Sequence, residues 1–238
     1  MMGQASHSHP HRFSLLKGSL HDPSWTNREE RGLTEHRVVT PENRFGKRSP
    51  TLLLTPMPQA HPPKNWPAHV RYLTVPHFHP SVSGDALSFL KGCDSKGISL
   101  PSAPPSLGTI RPIVDPSHPA HGQHGLFATR KISPQTLIVE YIGEVHSDDR
   151  PASDYDISLY RFPGGENVGV DATAMGNEAR FVNDYRGIRP KPNAQFADRW
   201  TASGDLRMGI WSLSSGIRKG DEIVVSYGKS WWAARSES

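Results

Sequence analysis

The sequence contains a single cysteine, Cys93, among its 238 residues. One thiol excludes an intramolecular disulfide, and it excludes any zinc site built from clustered cysteines. This cysteine usage fits a reducing compartment, so we expect an intracellular protein, either nuclear or cytoplasmic. Hydrophobic residues make up only 35% of the chain, and no apolar run approaches the length of a membrane span. We therefore expect no membrane partner.

Long blocks of one charge are also missing. The formal net charge of +4 would suit an acidic partner, but the basic residues are interleaved with acidic ones, so no direct nucleic-acid motif is present. The sequence likewise lacks a dinucleotide-binding glycine fingerprint, a phosphate-loop lysine motif and a G-x-S-x-G elbow. Common nucleotide-binding and hydrolase sites are therefore disfavoured, and the oligomeric state is left open.

Prolines and glycines are abundant, with 22 and 21 copies, and their distribution suggests the domain organisation. Residues 1–65 are rich in proline and histidine without a sustained helix or strand period, which predicts a largely disordered N-terminal extension. Residues 66–107 are intermediate and are expected to be partly ordered and to pack on the following domain. Residues 108–232 form the predicted domain, and residues 233–238 form a tail.

Short β-branched segments separated by glycine and proline turns dominate the predicted domain. The clearest strand candidates are Leu126–Thr129, Leu137–Val145, Val168–Asp171 and Ile223–Tyr227. Because strands do not alternate with helices, a doubly wound sheet is disfavoured and a mainly β fold is expected. A short helix is predicted upstream, at Asp85–Lys91.

Three segments of the predicted domain carry residues suited to a ligand site. Gly122–Ala128 is glycine-rich, and glycine lets backbone amides approach a ligand that a Cβ would block. Arg180–Asp184 offers a side-chain amide at Asn183, which can both donate and accept hydrogen bonds. Glu222–Gly228 is an apolar strand that ends on Tyr227, so it can place a phenol beside a buried ligand.

Taken in this order, the three segments resemble the SET domain of protein lysine methyltransferases. The stretch Glu140–Glu144 is similar to the family's E-Y-x-G-E stretch, and Arg180–Asn183 is similar to its R-F-x-N stretch. With one cysteine, the chain resembles members that lack the cysteine-rich zinc segments before and after the domain. The resemblance implies a knotted fold of short β-sheets, S-adenosyl-L-methionine as cofactor, no metal, and a protein substrate with a lysine target, histone or non-histone.

The resemblance also implies roles for individual residues. It implies Tyr227 as the catalytic residue, which orients the substrate amine, and Val225 and Trp231 as residues of the substrate channel. The residues implied in cofactor binding are Gly125, Leu126, Tyr141, Arg180, Asn183, Asp184 and Tyr227. Asp184 stands where the family usually has histidine. That departure keeps an alternative open, a catalytically inactive SET-like module that binds a peptide or protein.

Other candidate positions have plainer interpretations. His118, His121 and His124 recur at three-residue spacing, but proline and glycine break the helix that would align them on a metal, so solvent-facing loop histidines are expected. Asp171 is expected to order the turn that follows it. Val182 is expected to belong to the core.

Overall fold

The computed structural model describes residues 61–92 and 105–228, all of which fall in one compact unit. The predicted extension, the tail, Cys93 and Trp231 lie wholly or largely outside the described residues. Short strands dominate the described part, which confirms the mainly β expectation. In chain order the elements are β1 (Arg71–Tyr72), β2 (His77–Phe78), α1 (Gly84–Leu90), β3 (Gly108–Pro112), β4 (His124–Ala128), β5 (Leu137–Glu140), β6 (Glu144–His146), β7 (Asp156–Arg161), β8 (Asn167–Asp171), β9 (Met175–Gly176), a 3-10 turn (Glu178–Phe181), β10 (Asn183–Asp184), β11 (Ala194–Trp200), β12 (Leu206–Ser212) and β13 (Val224–Val225).

The largest sheet has four strands in the order β2-β6-β8-β7. Strand β8 is central, and its interior positions Val168 and Val170 are buried. Helix α1 begins at an N-cap serine, Ser83, whose hydroxyl accepts from the Ala86 amide at 3.1 Å. The helix buries Ala86 and Leu90 in the same hydrophobic core as the sheet. The segment upstream of the predicted domain is thus joined to that domain by strand pairing and by packing.

A second sheet of three strands has the order β11-β12-β5, and β3 and β4 form a separate antiparallel hairpin. Strand β12 is buried along most of its length because it lies between β11 and β5. Strand β4 has a second neighbour besides β3. The Ile223 amide donates to the Leu126 carbonyl at 2.8 Å, and Phe127 forms an isolated bridge with Glu222. The segment before β13 is therefore placed directly beside the glycine-rich strand.

Strands β10 and β13 pair in parallel although about forty residues separate them in the chain. Asn193, which is 1% exposed, strengthens this long-range contact. Its amide nitrogen donates to the Glu222 carbonyl at 2.7 Å, and its amide oxygen accepts from the Val224 amide at 2.9 Å. Because the Asn193 side chain satisfies two buried backbone groups, it fixes the position of the segment that leads into β13.

The structure corrects one predicted strand. The segment expected to be continuous from 137 to 145 is divided into β5 and β6. The chain bends at Gly143, where a Cβ would collide with the backbone carbonyl of Asp171, so only glycine allows this close crossing. The other candidate strands fall on β4, β8 and β13, although β13 is shorter than expected, and the helix lies one residue earlier than predicted. Within residues 61–92 and 105–228, no helix has the length and apolar character needed to cross a bilayer.

Candidate functional site

A small cavity lies beneath the end of β13, with a volume of about 30 Å³. Its wall combines aromatic rings, aliphatic side chains, one guanidinium and one carboxylate. The residues that line it are Tyr141, Asp154, Tyr155, Ile157, Arg180, Val182, Phe196 and Tyr227. The volume is far below the several hundred Å³ of a typical small-molecule pocket. The cavity therefore suits the end of a side chain rather than a whole ligand.

Tyr227 is held in this wall by two hydrogen bonds. Its hydroxyl donates to the Val182 carbonyl at 2.7 Å, and its backbone amide donates to a carboxylate oxygen of Asp184 at 2.8 Å. Desolvation by the surrounding protein raises the pKa of Tyr227 well above its ordinary value, and the nearby Asp184 charge raises it further. The phenol therefore stays protonated at neutral pH. Because its proton is committed to a carbonyl, the oxygen faces other groups as an acceptor.

Tyr141 and Arg180 occupy the same cavity wall. The Tyr141 hydroxyl donates to the Tyr155 carbonyl at 2.8 Å, and its burial raises the pKa of Tyr141 well above the ordinary value although the Arg180 charge opposes the rise. The Arg180 side chain donates through Nε to the Ala172 carbonyl at 2.9 Å, and its guanidinium lies 4.0 Å from the centre of the Tyr155 ring. This stacking fixes a positive charge in the same wall as the neutral phenols of Tyr141 and Tyr227.

Asn183, Gly125 and Glu222 form a second, polar group of residues, which we call the cradle. Asn183 follows Val182 directly and faces strand β4. Its amide nitrogen donates to Glu222 Oε1 at 2.8 Å and, more weakly, to the His124 carbonyl at 3.4 Å. Gly125 lies next to these two side chains. A Cβ added to Gly125 would stand 2.6 Å from Glu222 Oε1 and 3.2 Å from the Asn183 amide nitrogen. Glycine is thus required for strand β4 to approach these two side chains.

Asp184, Leu126 and Val225 contribute to the framework around the cavity and the cradle. The Asp184 carboxylate is buried, accepts from Tyr227 and forms an ion pair with Arg186 at 3.0 Å. Leu126 and Val225 have no exposed surface and are not among the residues that line the cavity. Their implied roles in cofactor binding and in the channel stay predictions, as does that of Trp231.

The site residues predicted from the sequence therefore fall into two groups. Tyr141, Arg180 and Tyr227 meet at the cavity, whereas Gly125 and Asn183 meet at the cradle. Sequence reasoning missed the other cavity residues, Asp154, Tyr155, Ile157 and Phe196, which belong to no recognisable motif. It also missed Glu222, although this residue stands at the start of the segment that ends on Tyr227.

The expectation that His118 faces solvent is wrong. Its side chain is 11% exposed, and its Nε2 lies 2.9 Å from Glu222 Oε2. Glu222 is 104 residues away in the chain, so spacing around the histidine gave no signal of this partner. His121 is exposed as expected. Among the described residues, no group of histidine, cysteine and acidic side chains is arranged to hold a metal ion.

Two smaller expectations are confirmed. Val182 is buried in the core. Asp171 orders the turn after β8, since its carboxylate accepts from the Thr173 amide at 2.8 Å. The same carboxylate accepts from Ser153 at 2.8 Å and from Arg150 at 3.2 Å.

The cradle has the chemistry to hold the ammonium group of S-adenosyl-L-methionine. The absence of a side chain at Gly125 lets the Glu222 carboxylate and the Asn183 amide lie against strand β4, and Asn183 keeps an amide oxygen to which no described residue donates. An ammonium group needs acceptors, and the Glu222 carboxylate adds a negative charge on the other side of the Asn183 amide. The residues present therefore fit this part of the cofactor.

Comparison with known proteins identifies the region. Residues 123–228 match the family model described as the SET domain. Over 121 residues the chain is 36% identical to an H3 lysine-36 specific histone-lysine N-methyltransferase of Debaryomyces hansenii. The aligned region covers 48% of this chain and 16% of the relative. It is 35% identical over 115 residues to the histone-lysine N-methyltransferase Set2 of Drosophila melanogaster, covering 43% of this chain and 4% of the relative.

One solved structure among those similar to this chain is ATXR5 in complex with mono-methylated histone H3.1. It has a TM-score of 0.45 and 16% sequence identity, covering 67% of this chain and 81% of the other. The chain spans only 16% and 4% of the two curated relatives named above.

Proposed function

Because residues 123–228 of this chain are a SET domain, we propose that the protein transfers a methyl group from S-adenosyl-L-methionine to the side-chain amine of a protein lysine. The observation that supports this most directly is the cavity of about 30 Å³ lined by Tyr141 and Tyr227. It has the size for an amine at the end of an extended side chain. Both phenol protons are already donated to backbone carbonyls, so both oxygens can accept from an amine.

Methyl transfer requires a lysine that has lost its extra proton, although a free lysine has a pKa of about 10.4. The aliphatic and aromatic wall disfavours a charged ammonium because it keeps water away. The two charged groups in the wall act in opposite directions, since the Arg180 guanidinium disfavours an ammonium and the Asp154 carboxylate favours it. S-adenosyl-L-methionine, when bound, supplies a methyl group made electrophilic by its positive sulfonium. Desolvation by the wall therefore favours the neutral, nucleophilic form of the lysine.

Tyr227 would orient the amine rather than act as a base. Its hydroxyl hydrogen is engaged by the Val182 carbonyl, so its oxygen accepts an N–H from the substrate. An amine held by its N–H groups keeps its lone pair directed away from the tyrosine. Such positioning can lower a barrier by roughly 7 to 11 kcal/mol when the reacting atoms are well aligned.

Gly125 and Asn183 would hold the cofactor from the side of β4. The Asn183 carbonyl oxygen is suited to accept from the cofactor's ammonium group, and Gly125 allows the Asn183 and Glu222 side chains to lie close to the strand. The peptide unit between Val182 and Asn183 joins the cradle to the cavity, because the Val182 carbonyl binds Tyr227 and the next side chain faces Glu222. The cofactor and the substrate amine would therefore meet along this short stretch.

The substrate class follows from the relatives rather than from the cavity. Several of them are named as H3 lysine-36 specific, so histone H3 is the first protein to test, and a nuclear location would follow from it. A non-histone lysine remains the alternative substrate. Both are tested by mass spectrometry of a nuclear extract incubated with the protein and labelled cofactor.

The variant Tyr227→Phe tests the proposed chemistry. We expect a loss of about a hundredfold or more in kcat on histone H3, because one positioned polar group is removed at the reacting centre. Cofactor affinity measured by calorimetry should stay within about twofold, since the Tyr227 backbone contact with Asp184 remains. Tyr160→Phe is the matched control, because Tyr160 lies in an aromatic cluster with Phe89, away from this cavity.

Two results would contradict the proposal. Unchanged turnover by Tyr227→Phe would remove the tyrosine from the chemistry. Failure of the folded wild-type protein to bind S-adenosyl-L-methionine would instead favour the peptide-binding module without catalysis.

A further inference from the structure

The hairpin loop between β3 and β4, residues 113–123, brings a histidine into the cofactor cradle. The loop is closed by two backbone hydrogen bonds between Ile113 and its end, from the Ile113 amide to the Gln123 carbonyl at 2.8 Å and from the Gly122 amide to the Ile113 carbonyl at 3.0 Å. His118 lies within this loop and reaches Glu222 Oε2 at 2.9 Å. Neither the matched family region, which begins at residue 123, nor the motif residues include it.

Backbone contacts determine which nitrogen of His118 carries the proton. Its Nδ1 accepts from the Ala120 amide at 3.0 Å, so Nδ1 has no hydrogen of its own. The ring proton is therefore on Nε2, which donates to Glu222 Oε2. The loop itself sets this tautomer, because the Ala120 amide lies only two residues from the histidine.

Glu222 then determines the orientation of the Asn183 amide. A carboxylate only accepts hydrogen bonds, so the group of Asn183 that faces it must be the NH₂. The carbonyl oxygen of His124 also accepts from this NH₂, at 3.4 Å. Both contacts turn the Asn183 Oδ1 away from Glu222, and within residues 61–92 and 105–228 no group donates to that oxygen.

We propose that His118 and Glu222 are positioning residues that hold the Asn183 side-chain oxygen toward the ammonium group of S-adenosyl-L-methionine. This inference rests on the proposed function, because that function supplies the ligand. His118 neutralises part of the Glu222 charge by a hydrogen bond and limits the carboxylate to one rotamer. Asn183 then presents an acceptor before the cofactor arrives, which lowers the ordering cost of binding.

The loop that carries His118 is packed against the chain after the cradle. Gly187 has φ +78, and a Cβ there would stand 2.5 Å from the Pro119 ring. The close contact joins the histidine loop to the segment that follows Asn183. His118 is thus supported by packing and not by its hydrogen bond alone.

His118→Ala is the direct test, measured by calorimetric titration of the full chain with S-adenosyl-L-methionine. We expect cofactor affinity to fall about tenfold, because Glu222 loses a donor and, with its carboxylate free to change rotamer, holds the Asn183 amide less firmly. At saturating cofactor kcat should stay within about twofold of the wild type while the cofactor KM rises about tenfold. His118→Gln should restore most of the affinity, since its terminal NH₂ can replace Nε2 as a donor. His121→Ala, on the same loop but exposed, is the control and should bind normally.

A nitrogen-15 NMR spectrum of the cofactor-free protein separates this inference from the proposed function. It should show His118 protonated at Nε2 and not at Nδ1. The opposite tautomer would overturn the inference whether or not the cofactor binds. Wild-type affinity in His118→Ala, with the fold intact, would also overturn it while leaving the proposed function in place. Absence of binding by the wild-type protein would overturn the proposed function and the cofactor-positioning role with it.

Discussion

Replacement of Asn193 by aspartate should destabilise the protein in a pH-dependent way. Asn193 is 1% exposed, and it donates to the Glu222 carbonyl while it accepts from the Val224 amide. Aspartate has nearly the same shape and keeps the acceptor. It loses the donor, and an ionised carboxylate would face a buried carbonyl oxygen only 2.7 Å away.

The size of the effect can be bounded from two sides. Leaving a buried carbonyl without its donor costs about 1 to 3 kcal/mol. The substituted carboxyl can instead take up a proton and donate again. Protonating a group of pKa about 3.9 at pH 7 costs about 4 kcal/mol, which sets an upper limit. We therefore expect Asn193→Asp to lower the free energy of unfolding by about 2 to 4 kcal/mol at pH 7.

The pH dependence identifies the cause. Burial opposite a carbonyl raises the pKa of the new carboxyl above its unfolded value, so the native state binds the proton more tightly. The variant should approach wild-type stability below about pH 4 and lose stability relative to wild type as the pH rises. Urea unfolding of both proteins between pH 4 and pH 8 measures this difference.

Asn167→Asp is the matched control, because Asn167 accepts from the Ser158 hydroxyl at 2.9 Å through its amide oxygen and aspartate preserves that contact. It should change stability by less than about 0.5 kcal/mol. A deficit below about 1 kcal/mol for Asn193→Asp at pH 7, or a deficit independent of pH, would refute the reasoning.

Three further predictions follow from the site and its support. Gly125→Ala should weaken binding of S-adenosyl-L-methionine at least tenfold in calorimetry, because the new Cβ collides with Glu222 and Asn183. Gly164→Ala is the control and should bind normally, since no atom lies within 4 Å of its new Cβ. Equal binding by the two variants would contradict the close contact between Gly125 and the cradle. Burial raises the pKa of Asp171, but hydrogen bonds from Thr173, Ser153 and Arg150 outweigh it and lower the pKa, so Asp171→Asn should cost about 1 to 3 kcal/mol at neutral pH in urea unfolding. That deficit should vanish as the pH falls through the depressed pKa of native Asp171. A deficit that does not change with pH would show that the charge of the Asp171 carboxylate is not its cause. Because desolvation raises the pKa of Tyr227, kcat should not fall between about pH 8 and pH 10, and a descending limb there would contradict a neutral phenol.

The sequence predicted the parts of the fold that have local signals. Val168 and Val170 mark β8, and the short helix predicted at Asp85–Lys91 corresponds to α1. The two longest strands, β11 and β12, were not among the clearest candidates, because Ala194–Trp200 has no β-branched residue and Leu206–Ser212 has a glycine at its centre. Their pairing with each other and with β5 stabilises them, and such tertiary contacts override weak local propensity.

The site was predicted to a similar depth. Asn183 and Tyr227 belong to recognisable segments, so the sequence singled them out as site residues, and their roles stay predictions. The position of His118 could not be predicted, because its loop has an ordinary turn composition and its partner lies across the fold. Tyr155 and Phe196 reach the cavity for the same reason, through packing between segments distant in the chain.

The parallel pairing of β10 with β13 has a consequence for how the protein is made. Strand β13 is the last element of the described chain, and Val182, Asn183 and Asp184 each have a hydrogen-bond partner within residues 222–227. A ribosome synthesises a chain from its N-terminus at about 5 to 20 residues per second, so the strands that precede β13 emerge first. A nascent chain that ends before residue 222 has neither Glu222 nor Tyr227. The cavity and the cradle can therefore form only after residues 222–227 have emerged from the ribosome and paired with the earlier part of the domain.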